Sequence, residues 1–323
     1  MRDGIPELDD VLDARRVIAP YLDRTPLRRY PALDELVGAR VFVKHENHQP
    51  TGAFKVRGGI NLVSRLDPAV RAAGVYAAST GNHGQSVAYA ARLFGTAATI
   101  FVPRGANPVK VSSMRSLGAE VIELGADFDE ARERCAEVAL ERGARYVHSA
   151  DEPLLIAGVA TTAFEILERE PGLEAILVPV GGGSGAAGAC IAAKAIRPRA
   201  EVIGVQSSAA PAAYRAWRER RLVEDVMGTF AEGLQTRVAF ELPQRILAGH
   251  LDDFLLVSDD ELRAATLRLI ELTRNLVEPA GAAALAAAMK LRERFAGRRI
   301  AVVCSGGNIS PDQLRELLAW KGH

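Results

Sequence analysis

Short apolar runs alternating with longer Ala- and Leu-rich stretches of helical period constrain this chain to parallel α/β sheets. The runs fall at residues 41–44, 74–78, 98–102, 120–123, 175–180, 201–205, 254–257 and 299–304. Helical stretches are predicted between them at 85–94, 107–117, 127–142, 153–170, 186–196, 259–275 and 281–295. Strands that are apolar at nearly every position must be covered on both faces, which a parallel sheet flanked by helices provides. One strand–helix series covers roughly residues 74–146 and another restarts near residue 175, with no repeat period and no low-complexity linker between them. The expected architecture is two lobes with a cleft between.

The chain has 323 residues, 40 basic and 40 acidic, so no net field favours nucleic acid or an anionic membrane. No apolar run approaches the length of a membrane span, and the N-terminus lacks the basic-then-apolar pattern of a signal peptide. Three cysteines, Cys135, Cys190 and Cys304, have no paired spacing and read as buried thiols of a reducing, cytoplasmic compartment. His45, His48, His250 and His323 show no metal-ligand spacing.

In such sheets ligands bind beyond the carboxyl ends of the strands. Three post-strand segments there are rich in glycine and small polar residues. Gly181, Gly182, Gly183, Ser184 and Gly185 lead into an Ala-rich helix, so backbone N–H groups and the helix N-terminus can converge on a compact phosphate. The segment is neither a P-loop nor a dinucleotide fingerprint. Ser79, Thr80, Gly81, Asn82 and His83 offer hydroxyls, an amide and helix N-terminal N–H groups, a carboxylate-binding arrangement. Ser305 follows the last strand, placed to meet a heterocyclic nitrogen. Read alone, Lys55 is an ordinary solvated loop lysine. Together with a phosphate cradle it becomes a covalent anchor for a phosphorylated aldehyde, with Phe54 able to cover a flat ring.

These segments, in this order and over nearly the whole chain from Ile18, resemble fold-type II pyridoxal-phosphate enzymes, specifically the threonine/serine dehydratase and serine racemase branch. The resemblance implies a tryptophan synthase β-like fold of two lobes, each a mostly parallel sheet flanked by helices. Residues 1–70 and 151–323 would form the large cofactor-binding domain, and 71–150 the small substrate-binding one. It implies that Lys55 holds pyridoxal 5'-phosphate as a Schiff base, with Phe54 near the ring. Asn82 would meet the phenolic oxygen, Gly181 to Gly185 with Ser184 the phosphate, and Ser305 the pyridine nitrogen. Ser79, Thr80, Gly81 and His83 would hold the substrate carboxylate, and Glu278 would support the site. The implied reaction expels a β-hydroxyl from threonine or serine and ends in a 2-oxo acid and ammonia. A homodimer is also implied.

Several positions depart from the family pattern. Ala53 and Pro50 are atypical beside the lysine, and Ser184 stands where dehydratases usually have glycine. Thr80 stands where racemases place a second serine as the opposite-face acid/base, which makes it a second candidate catalytic residue with a hydroxyl able to reach the α-carbon. Its stiffer β-branched side chain disfavours serine racemisation relative to elimination. Ala150 and Val159 replace polar residues, predicting a wider, more apolar rim and room for a bulkier substrate such as phenylserine or 3-hydroxyaspartate. Gln206 and Ala212 stand where metal-activated relatives carry acids, so no metal is expected there. A β-replacement synthase and a non-catalytic amino-acid-binding protein fit less well, since Asn82 and His83 match the dehydratase loop and Lys55 and Ser305 are both present.

Overall fold

The computed structural model describes residues 1, 4–126 and 128–322; Asp127, the first residue of one predicted helix, and His323 lie outside them. Among the described residues ten strands form two sheets. The first contains β1 (Leu27–Arg29), β2 (Arg40–His45), β7 (Ala175–Pro179), β8 (Glu201–Ser207), β9 (Asp253–Val257) and β10 (Arg299–Cys304), in the order β1-β2-β10-β7-β8-β9. All its pairings are parallel except β1 with β2. The second contains β3 (Val75–Ala78), β4 (Ala98–Val102), β5 (Glu120–Glu123) and β6 (Arg145–Tyr146), in the order β5-β4-β3-β6 and wholly parallel.

Alternation along the strands explains why they read as continuous apolar runs. On β10, Ile300, Val302 and Cys304 enter one core, while Ala301 and Val303 enter the core on the opposite face. On β2, Val41 and Val43 pack with the first group and Phe42 with the second. Period-two side chains thus feed two dry layers, and neither face of the sheet can be polar. The apolar runs predict eight of the strands; β1 and β6 escape because they are short, edge-placed and carry Arg28, Arg29 and Arg145.

Helix Lys55–Val63 is a structural element that periodicity does not predict, since Gly58 and Gly59 weigh against helix. Packing decides otherwise. A Cβ on Gly58 would lie 2.7 Å from Leu155 Cγ, and one on Gly59 would lie 2.4 Å from Ser86 Oγ. Both glycines therefore let helices Pro153–Arg169 and Asn82–Leu93 approach closely. This packing joins the two sheets' surroundings in one core that includes Val56, Ile60, Val75, Val87 and Leu155.

A buried charge cluster fixes the same helix from below. Arg57 donates to Glu46 at 2.8 and 2.9 Å and to Glu165 at 2.7 and 2.9 Å. Lys44 donates to Glu165 at 2.5 Å and to the Thr25 carbonyl at 2.9 Å. Two cations and two anions, each nine-tenths or more buried, cancel. Although burial alone would raise the Glu46 pKa, the Arg57 and Lys44 charges and their hydrogen bonds bring it down to about 2.

Candidate active site

The carboxyl ends of β3, β4, β7 and β10 open into a cavity of about 330 Å³. Phe54, Lys55, Ser79, Thr80, Gly81, Asn82, His83, Gly181, Gly182, Gly183, Ser184, Gly185 and Ser305 all line it. Segments far apart in sequence are therefore brought to one space by strand order alone.

Lys55 is not a loop residue. It opens helix Lys55–Val63, and its Nζ donates to the Ser149 carbonyl and to Ser184 Oγ, both at 2.8 Å. Burial, with no carboxylate to offset it, brings the amine down from 10.5 to about 8. The Phe54 ring centroid lies 5.5 Å from that amine. The Phe54 backbone N–H donates to the Ser305 carbonyl at 3.0 Å, which ties the lysine motif to the end of β10.

The glycine segment is shaped by contacts that a side chain would destroy. A Cβ on Gly181 would sit 2.3 Å from the Gly233 carbonyl oxygen. Gly183 adopts φ +91°, a left-handed conformation that favours glycine, immediately before helix Ser184–Ile196. The result is a bare backbone at a helix N-terminus, with Lys55 Nζ held against it through Ser184. These are the features that a phosphate and an aldehyde carbon require, so the residues present fit pyridoxal phosphate.

Across the cavity, Ser79 Oγ accepts from the Gly81 N–H at 3.0 Å, folding the loop before helix Asn82–Leu93. Asn82 Nδ2 donates to Glu278 Oε1 at 2.7 Å, and its Oδ1 accepts from Asn308 Nδ2 at 2.7 Å. Asn82 thus has one N–H left to offer into the cavity. His83 Nε2 donates to the Val147 carbonyl at 3.1 Å, while Nδ1 has no partner among the described residues. Burial, aided by the Lys55 charge, lowers its pKa to about 3. A neutral ring in that tautomer offers no side-chain proton to a carboxylate, so any contribution there comes from the His83 backbone.

Two residues predicted to set the rim do not reach it. Val159 faces inward and borders a small apolar space behind Phe54. Ala150 is fully buried, its Cβ facing Gly182. The cavity wall instead includes Arg104, Lys110 and the segment Glu232, Gly233, Leu234, Gln235 and Thr236, of which Gly233 packs against Gly181. Glu232 to Thr236 and Lys110 follow no apolar run; Arg104 does follow one, at 98–102, but stands there without the cluster of glycines and small polar residues that marks the other segments. The one available signal was the glycine at 233 within a polar stretch. Gln206, at the position expected to lack a metal, is buried with its Oε1 accepting from the Tyr214 N–H at 2.9 Å.

A half-buried lysine whose amine is held against a glycine-rich helix N-terminus is the arrangement expected of the pyridoxal-phosphate class. The family described as pyridoxal-phosphate dependent enzyme matches residues 18–306, and the chain belongs to it. It is 37% identical to an L-threonine ammonia-lyase of Thermotoga maritima over 96% of this chain and 78% of that protein. It is 36% identical to a beta-hydroxyaspartate dehydratase of Paracoccus denitrificans over 96% of this chain and 98% of the relative. Among solved structures, maize serine racemase superposes with a TM-score of 0.91 at 31% identity, covering 97% of this chain and 96% of that one. The fold is fold type II.

Proposed function

We propose that this protein is an ammonia-lyase that converts a β-hydroxy amino acid, threonine or serine by default, to a 2-oxo acid and ammonia. The observation that carries the reading is the placement of Lys55 Nζ, 2.8 Å from Ser184 Oγ, in the cavity that the Ser79–Gly81 turn also lines. Ammonia-lyase relatives across almost the full chain support it.

When bound, the cofactor supplies a covalent electron sink for the substrate's α-carbon. Lys55 anchors it and is the base that takes the Cα proton, helped by an amine already near neutrality. Gly181 to Gly185 would hold its phosphate through backbone N–H groups, Ser305 would meet its ring nitrogen, and Asn82 would offer its remaining N–H to the phenolic oxygen. Ser79, Thr80, Gly81 and the His83 backbone hold the α-carboxylate. The β-hydroxyl leaves as water, and hydrolysis releases ammonia and the 2-oxo acid. Residues 1–70 and 151–323 act as the cofactor-holding part and 71–150 as the substrate-holding part. Buried free thiols support a cytoplasmic setting, checked by fractionation of the source cells. Family resemblance supports a homodimer, checked by a solution mass of twice the 34.6 kDa chain.

Arg104 favours 3-hydroxyaspartate as a second reading. It lines the cavity as an exposed guanidinium, the group best shaped to take a substrate's distal carboxylate in two parallel hydrogen bonds. Ammonia and 2-oxo acid release should be measured with threonine, serine, phenylserine and 3-hydroxyaspartate. If Arg104 reads a side-chain carboxylate, Arg104→Gln lowers the kcat/KM ratio of 3-hydroxyaspartate over threonine about tenfold or more. An unchanged ratio removes this second reading. No ammonia from any of the four, or D-serine without ammonia, removes the first.

A further inference from the structure

We infer that Lys110 is a positioning residue that clamps the carboxylate-binding loop across the cleft by pairing with Glu232. Lys110 belongs to helix Pro108–Ser116, which follows β4 of the four-stranded sheet. Its partners stand on segments flanking the six-stranded sheet: Glu232, whose Oε2 accepts from Lys110 Nζ, and Glu278, whose Oε2 is 3.9 Å from the same amine. Lys110 is only 5% exposed. An ammonium so placed is destabilising unless it is paired and its partners are satisfied. Here they are. Glu232 Oε1 accepts from Gln313 Nε2 at 2.7 Å, and Glu278 Oε1 accepts from Asn82 Nδ2 at 2.7 Å.

The lysine stem explains what the pair holds. A Cβ on Gly81 would lie 2.9 Å from Lys110 Cδ and 3.4 Å from its Nζ. A side chain at Gly81 would therefore displace the Lys110 stem. The Lys110 stem thus lies directly against the Ser79–Gly81 turn, while its head is fastened to the opposite side of the cleft. Asn82 extends the connection through Asn308 to the Thr51 carbonyl, four residues before Lys55. One polar chain therefore links the lysine motif, the carboxylate loop and the Glu232 segment.

This role rests on the Ser79–His83 loop being the carboxylate site, and its test separates the two claims. Lys110→Met, Glu232→Gln and the double variant are compared by hydrogen exchange of amides 79–86 and by KM and kcat. A clamp predicts that each single change speeds exchange in that segment about tenfold and raises KM about tenfold, with kcat moved far less. The double variant should be no worse than the more damaging single one. Glu232 is part-exposed, so Glu232→Gln serves if Lys110→Met does not fold. Unchanged exchange, or losses that simply add, overturns the clamp. Faster exchange with an unchanged KM leaves the clamp in place and removes the carboxylate assignment of the loop.

Discussion

An ordinary lysine, with a pKa near 10.4, is neutral in about one molecule in 2500 at pH 7. Lys55, brought to about 8 by burial, is neutral in about one in ten. Because the folded-state pKa is lowered, the neutral form gains as pH rises and saturates above 8. Attachment of pyridoxal phosphate to the cofactor-free protein should therefore speed up about tenfold between pH 7 and 9 and then level off. Stopped-flow absorbance measures this directly. A rate still climbing tenfold per unit beyond pH 9 would show that Lys55 titrates like a solvated lysine. His83 needs no such allowance, since a ring with a pKa of about 3 stays neutral across this range.

At the scale of elements, helix Lys55–Val63 carries the lysine proposed as anchor and base but draws its position from Arg57. That guanidinium is 1% exposed and makes bonds to two carboxylates. Arg57→Met removes a cation and leaves Glu46 and Glu165 to share Lys44. The expected loss is about 3–5 kcal/mol of stability, read from urea unfolding with the m-value unchanged. A loss below about 1 kcal/mol would mean that packing of Gly58 and Gly59, not the charge cluster, sets the helix. Neither device was legible beforehand. Gly58 and Gly59 look like helix breakers until Leu155 and Ser86 are seen against them. Arg57 and Glu165 are 108 residues apart, and no local pattern joins them.

For the whole molecule, the sequence exposed what is local and hid what crosses the cleft. Apolar runs revealed eight strands because each strand is buried on both faces. The residues flanking them revealed Ser79 to His83, Gly181 to Gly185 and Ser305, because each group is continuous and follows a strand. Lys110 and Glu232 meet across 122 residues, and Arg104 lies in a turn with no periodicity, so only the fold assembles them. The predicted apolar rim failed for the same reason: Ala150 and Val159 were located by sequence order, and the helix turns Val159 into the core. The proposed chemistry as a whole depends on one amine. The most direct test is release of ammonia and 2-oxo acid, in equal amounts, from threonine, serine and 3-hydroxyaspartate by the cofactor-loaded protein and by Lys55→Ala. Stoichiometric release is expected from the first and a loss of about a thousandfold or more in the second. Comparable release by Lys55→Ala would contradict it.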